Sequence, residues 1–302
     1  MNAFYKNKHV LVTGGAGFIG SHITEKLVSL GAKVTVLDNL SSGNEDNLKN
    51  IKSKIKLIKE DVLSQEACEK ATKHNDIIFH LAALVSVPYS IENPSKCWEI
   101  NVMGTFNVLS AAVKNNAKTL IFSSSSAVYG DKQQPCSEND DTNPKSPYAE
   151  SKIQAENICN EFSSKYGIKT ASLRYFNVFG ERQKFNSEYA AVVAKFEKAI
   201  KNNEPLVIYG DGKQTRDFIH VSEVVNANLF IAMQNQISGD IFNIGSGNSM
   251  NLFELIEYLE NKLNKKNSGI FFKPARNGDI VYSAAICEKY ENLKQTLNQK
   301  QL

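Results

Sequence analysis

The sequence predicts a doubly wound α/β protein, a parallel sheet with helices on both faces, joined to a smaller α/β domain. Three observations carry this. Short β-branched apolar runs alternate with amphipathic stretches through the first half of the 302-residue chain, which is the pattern of βαβ units. A glycine-rich turn stands between the first run and the first amphipathic stretch. After Asn177 the alternation lapses into loops, single strands and turns.

In chain order, His9–Thr13, Lys33–Leu37, Lys56–Ile58, Ile77–His80, Thr119–Ser123 and Thr170–Arg174 read as strands. Between them helical periodicity is clearest in Ser21–Leu30, Cys97–Asn115 and Tyr148–Tyr166. A helix around Ala190–Lys201, a strand Leu206–Tyr209 and the turn Gly210-Asp211-Gly212 open the second region. Asp217–Val221 and the helix after it return to the first. The expected domains are 1–176 with about 217–238, and 177–216 with about 239–302.

Charged residues make up 22% and hydrophobic ones 42%, the profile of an ordinary globular protein. The net charge of +3 is small and its lysines interleave with acids, which argues against a nucleic-acid or membrane-surface partner. Five scattered cysteines, Cys68, Cys97, Cys136, Cys159 and Cys287, show no zinc-ligand spacing. No metal is expected, and the thiols suit a reducing compartment. The longest apolar run, Ile77–Pro88, is too short to span a bilayer, so the expected location is cytoplasmic.

Thr13-Gly14-Gly15-Ala16-Gly17-Phe18-Ile19-Gly20 lies where strand meets helix. Glycines there allow a tight turn and bring backbone N–H groups close to a pyrophosphate, as in a Rossmann dinucleotide site. Asp38 closes the second strand where an acid would bind the adenosine ribose hydroxyls. A carboxylate there repels a 2′-phosphate, so NAD is expected rather than NADP. Asp61-Val62 and Leu81-Ala82-Ala83 follow the third and fourth strands, at the same carboxyl edge.

Tyr148 and Lys152 stand four apart on a predicted helix and so share a face. The spacing is cheap, because Tyr209/Lys213, Tyr258/Lys262 and Tyr290/Lys294 repeat it. Only Tyr148 follows a strand ending in a polar run, Ser123-Ser124-Ser125-Ser126. A phenol titrates near pH 10, so a base working at neutral pH needs its phenolate stabilised by roughly 4 kcal/mol. Lys152 and the nicotinamide charge are the expected sources. His22, His80 and His220 read as packing or hydrogen-bonding residues, since no triad or metal partner accompanies them.

The segments TGGAGFIGSH, LDNLSSGN, EINVMGT, SSSSAVYG, SPYAESK, RYFNVFG, TRDFIHV and ARNGD together resemble the extended short-chain dehydrogenase family of NAD-dependent nucleotide-sugar epimerases and dehydratases. They run in family order over nearly the whole chain. The resemblance implies a catalytic group of Ser125, Tyr148 and Lys152, with Asn101 steadying the site. It extends the cofactor set to Asn39, Ser42, Gly43, Ser123 and Tyr175, beside Gly14, Gly17, Phe18, Ile19, Gly20, Asp38, Asp61, Val62 and Leu81–Ala83.

Within the family the motifs are most similar to UDP-glucose and UDP-N-acetylglucosamine 4-epimerases, which implies inversion at C4 through a transient 4-keto sugar. On the substrate side the resemblance implies Asn177, Arg216, Arg276 and Asp279 at the diphosphate end, Tyr209 beside the uracil, and Ser86 and Val87 along the sugar. Ser283, seven past Arg276, stands where relatives restricted to plain hexoses carry tyrosine. A small residue there leaves room for a 2-acetamido group, so UDP-GlcNAc and UDP-GalNAc are expected substrates alongside UDP-glucose and UDP-galactose.

The family's 4,6-dehydratases follow the active hydroxyl with an Asp-Glu pair, and this chain has Ser126-Ala127. UDP-glucuronate 4-epimerisation and decarboxylation stay open, and a non-catalytic dinucleotide-binding protein is the remote alternative. Asn277 replaces the family's usual proline, and the chain stops at Leu302 where relatives continue; both bear on the wall over the nucleotide. The resemblance also implies a homodimer through the helices around Cys97–Asn115 and Tyr148–Tyr166.

Overall fold

The structure is a computed structural model that describes residues 1–183, 192–275 and 281–299. In chain order its elements are α1 (Asn2–Tyr5), β1 (His9–Thr13), α2 (Phe18–Ser29), β2 (Lys33–Leu37), β3 (Ile55–Ile58), α3 (Gln65–Thr72), β4 (Ile77–His80), α4 (Val87–Glu92), α5 (Pro94–Trp98), α6 (Gly104–Lys114), β5 (Thr119–Ser125), α7 (Pro147–Tyr166) and β6 (Lys169–Tyr175). There follow β7 (Asn177–Phe179), α8 (Val192–Asn202), β8 (Leu206–Tyr209), β9 (Thr215–His220), α9 (Val221–Ala232), β10 (Asp240–Ile244), β11 (Ser249–Met250), α10 (Leu252–Leu263), β12 (Ile270–Lys273), β13 (Tyr282–Ser283) and α11 (Glu288–Gln299).

Seven strands form the large sheet in the order β10-β6-β5-β4-β1-β2-β3. Its middle is parallel, with β1 pairing β2 and β4, β2 pairing β3, and β4 pairing β5. Their carboxyl ends therefore lie along one edge, the arrangement the alternating pattern predicts. The chain groups into two compact units, the first being Met1–Val128, Pro144–Arg174 and Val221–Phe242, and the second Tyr129–Asn143, Tyr175–His220 and the chain from Asn243 onward. Leu11, Leu37, Ile78, Leu109, Phe122 and Ala155 lie in the core of the first. In the second, Phe196, Ile208 and Phe218 pack with Leu255 and Leu259.

Local chemistry accounts for the helix ends. α7 begins behind Ser146, whose hydroxyl accepts from Ala149 N–H, with Pro147 at its first position, and ends at Gly167 in the left-handed region, φ 69°. α10 opens on a reciprocal capping box between Asn251 and Glu254.

Two features depart from the sequence reading, and a further one, the helix before β1, lies outside it. Cys97–Asn115 is not one α-helix: a five-residue π-turn, Glu99–Met103, separates α5 from α6. Such a turn takes up an extra residue and re-aims a side chain, here Asn101, whose Oδ1 accepts from Leu84 N–H at 2.8 Å and whose Nδ2 donates to Leu84 O at 3.0 Å. The segment before β1 is helical, because Tyr5 is fully buried and its hydroxyl donates to Leu229 O at 2.7 Å. Asp240–Ile244 joins the large sheet beside β6 before the chain enters the second unit, and Tyr129–Asn143 groups with that unit.

Candidate active site

The turn after β1 is a close backbone approach. Gly14 has φ 65°, and a Cβ on it would lie 2.7 Å from Ala82 N; a Cβ on Gly20 would collide with the Gly14 carbonyl. Leu81 N–H and Ala82 N–H both donate to Thr13 Oγ1 at 3.2 Å, so the turn rests on the chain leaving β4. α2 starts at Phe18 with Gly17 as its N-cap and no side-chain cap. The first-turn amides, those of Phe18, Ile19 and Gly20, thus suit an anion. Asp38, 7% exposed, accepts from Ala16 N–H through Oδ2 and from Leu40 N–H through Oδ1, each at 2.8 Å. Asn39 Nδ2 donates to Asp61 Oδ2 at 2.7 Å, and Asp61 Oδ1 accepts from Leu63 N–H, beside buried Val62. An uncapped helix, a cradle that any Cβ would fill and a fixed carboxylate at the end of β2 fit a dinucleotide. Ser42 is exposed and Gly43 half-buried in the loop after β2.

At the end of β5 three serines have three different partners. The Ser123 carbonyl accepts from Lys152 Nζ at 2.8 Å. Ser124 Oγ donates to Glu156 at 2.5 Å, and Glu156 in turn holds Arg174 through Nε at 3.0 Å and Nη2 at 2.8 Å, with both side chains buried. Ser125 Oγ accepts from Ala127 N–H at 3.2 Å and stands near enough to the Tyr148 phenol to lower it. Tyr148 and Lys152 are buried on one face of α7, and Lys152 Nζ lies 5.8 Å from the Tyr148 ring centroid and 4.8 Å over Phe122.

Electrostatics differ from the sequence expectation in one respect. Burial pushes the Tyr148 phenol above its ordinary value, and the nearby Ser125 hydroxyl draws it back only in part. On balance the protein's own groups leave the phenol above its ordinary value. Lys152 moves down to about 8, chiefly through burial, against weaker opposing effects of Cys97 and Glu156.

A polar chain runs behind the site. Thr105 Oγ1 donates to Asn101 O at 2.6 Å, so His80 Nε2 is the donor in its 3.0 Å bond to Thr105. His80 Nδ1 is then the acceptor for the Thr13 hydroxyl at 2.7 Å. The ring is fully enclosed, and burial with the nearby Lys152 charge lowers it to about 3, in keeping with a hydrogen-bonding role. Asn101 Nδ2 also donates to Ser151 Oγ at 2.9 Å, and Ser151 donates to Tyr148 O at 2.7 Å. Ser86 caps α4, accepting from Tyr89 N–H, with Val87 next to it and 37% exposed. Among the described residues no group of three or more His, Cys, Asp or Glu is placed to hold a metal. All five cysteines are free, and no described helix is long and apolar enough to cross a membrane.

In the second unit, Asn177 Nδ2 donates to Asp217 O at 3.3 Å. Asp217, fully buried, accepts from Ser246 N–H, Gly247 N–H and Ala285 N–H at 2.7–3.2 Å. Ser283 pairs in register with Arg216 across β13 and β9. Tyr209 ends β8 with Lys273 Nζ 5.9 Å from its ring centroid, and Tyr175 is buried at the end of β6. Arg276 and Asp279 lie outside the described residues. Ser90, Ser151, Glu156 and Arg174 were not singled out by sequence; for Glu156 the signal was its place one helical turn after Lys152.

Residues 10–245 match the NAD dependent epimerase/dehydratase family. A UDP-N-acetylglucosamine 4-epimerase from Methanobrevibacter ruminantium M1, solved with UDP-N-acetylmuramic acid, superposes with TM-score 0.91 at 43% identity, over 95% of this chain and 92% of that one. A putative UDP-glucose 4-epimerase of Methanocaldococcus jannaschii is 39% identical over 94% of this chain and 92% of its own length. A UDP-N-acetyl-alpha-D-glucosaminuronate decarboxylase of Bacillus cytotoxicus is 37% identical over 83% and 78%. With its seven-stranded sheet and glycine turn, the chain belongs to the NAD dependent epimerase/dehydratase family.

Proposed function

We propose that the chain is a UDP-sugar 4-epimerase that takes UDP-N-acetylhexosamines as well as UDP-glucose and UDP-galactose. The observation that supports it most is the grouping of Ser125, Tyr148 and Lys152 at the carboxyl edge of the sheet that carries the glycine turn. In this reading Tyr148 takes the proton of the sugar 4-hydroxyl and later returns one to the 4-oxygen. Ser125 bonds both the phenol and that oxygen and relays the proton. Lys152, charged below about pH 8, favours the phenolate. Bound NAD supplies a hydride acceptor that each cycle restores, together with a positive charge.

The first-turn amides of α2, with Gly14, Gly17 and Gly20, would hold the cofactor's pyrophosphate. Asp38, Asn39, Ser42 and Gly43 would take the adenosine ribose side, Asp61 and Val62 the adenine, and Leu81–Ala83, Ser123 and Tyr175 the remainder. Asn177, Arg216, Arg276 and Asp279 would serve the diphosphate end, Tyr209 the uracil, and Ser86 and Val87 the sugar. Strand alternation supports the choice of Ser283 as the residue beside the 2-substituent: paired with Arg216, it shares that residue's face of the sheet, while Tyr282 faces the other way.

A homodimer through α5–α6 and α7 is part of the proposal. Trp98, Met103, Phe106 and Tyr166 stand 42–59% exposed there. A cytoplasmic location fits the five free thiols.

The decarboxylase relative supports a second reading, decarboxylation of a UDP-hexuronic acid. Both readings meet one experiment: incubation of the purified protein with UDP-GlcNAc, UDP-glucose and UDP-glucuronate in D2O. Inversion at C4 with no deuterium at C4 and no carbon dioxide is the expected result. Carbon dioxide release without C4 inversion would replace the epimerase reading with the second.

A further inference from the structure

We propose that Ser90 is a positioning residue that sets the Tyr148 phenol against the turn carrying Ser86 and Val87; this rests on the epimerase reading above. An α-helix leaves its first amides without acceptors inside the helix. In α7, Pro147 has no amide hydrogen, Ala149 N–H is taken by the Ser146 hydroxyl at 3.2 Å, and Glu150 N–H by the Ser146 carbonyl at 3.0 Å. The amide that remains is Tyr148's own. It donates to Ser90 Oγ at 3.2 Å, an acceptor borrowed from α4 and 58 residues away in sequence.

The same hydroxyl donates to the Val87 carbonyl at 2.5 Å, and Ser90 is fully buried. A single oxygen thus joins the backbone of Tyr148 to the first turn of α4. That turn is braced from within, since Ser86 caps it and Pro88 restricts its start. A second tie runs from Ser151 through Asn101 to Leu84. The segment 84–90 is therefore held to α7 at both of its ends, and Ser90 is the tie that reaches the backbone of Tyr148 directly.

The test compares Ser90→Ala, which removes the hydroxyl, with Ser90→Cys, which keeps the volume but bonds weakly. In both, amide exchange in the peptide 146–152 accelerates. The kcat for UDP-sugar interconversion falls about tenfold or more, with KM within about threefold, as a small misplacement of a reacting group predicts. Bound NAD is retained. Wild-type exchange and kcat in Ser90→Cys would reduce Ser90 to a space filler and overturn the proposal, as would a loss of kcat matched by loss of bound NAD. A wild-type chain that interconverts no UDP-sugar would sink the epimerase reading; exchange then decides the clamp, faster exchange upholding it and unchanged exchange overturning it.

Discussion

Lys152 donates through Nζ to the Ser123 carbonyl at 2.8 Å, so the ammonium on α7 closes onto the end of β5. The positive field needs the proton. Burial brings this lysine down to about 8, against an ordinary value of about 10.4. kcat/KM is predicted to fall as pH rises through about 8. The stability contribution has the opposite sign: between the two values the unfolded chain holds the proton and the folded chain does not, so stability rises with pH. Activity lost above pH 8 without a drop in melting temperature is the expected pair of results; a flat rate profile to about pH 10 contradicts the assignment.

His80 makes a prediction on the acid side. Its ring is an acceptor for Thr13 and titrates near 3 when folded, against about 6.5 when unfolded. Below the unfolded value only the unfolded chain takes the proton, so stability is lost as pH falls, by about 2 kcal/mol at pH 5. Thermal melts from pH 7 to pH 4 should show this decline. In His80→Gln, whose amide does not titrate, the slope should flatten even though the protein is weaker at pH 7. Equal slopes in the two proteins would mean that other groups carry the acid loss.

Glu156 joins Ser124 and Arg174 in a pair buried to within 5% exposure on each side. Glu156→Gln leaves the Arg174 charge buried against a neutral partner, at a cost of about 3–5 kcal/mol in urea unfolding. Replacing both residues by apolar ones of similar volume should recover most of that. A cost below about 1 kcal/mol for the single change would show the pair to be dispensable.

The parts of the site legible in the sequence are those whose signals are local. Gly14–Gly20, Asp38 at a strand end, and Tyr148 with Lys152 one helical turn on all follow from short spacings. Ser90 was not legible, because its partner Tyr148 is 58 residues away and nothing near Ser90 marks the contact. The Asn101–Ser151 bond spans 50 residues for the same reason. The π-turn at Glu99–Met103 hides in a continuous helical pattern, since one extra residue shifts the apolar face too little to break it. Asp240–Ile244 falls in the stretch expected for the second domain, and its place beside β6 is set by tertiary pairing alone. The raised phenol of Tyr148 depends on enclosure, which spacing does not encode.

In the proposed reading Ser283 bears on substrate choice. It is 9% exposed and in register with Arg216, so Ser283→Tyr should fill the space assigned to a 2-acetamido group. The kcat/KM for UDP-GlcNAc is predicted to drop about a hundredfold while that for UDP-glucose changes by less than about fivefold. Equal losses on both sugars would remove Ser283 from the specificity assignment.

The most direct measurement is incubation of the purified protein with UDP-GlcNAc, without added cofactor, and separation of the products. UDP-GalNAc formed to a constant ratio from either direction is the predicted result. Unchanged UDP-GlcNAc from a protein that carries NAD would contradict the account.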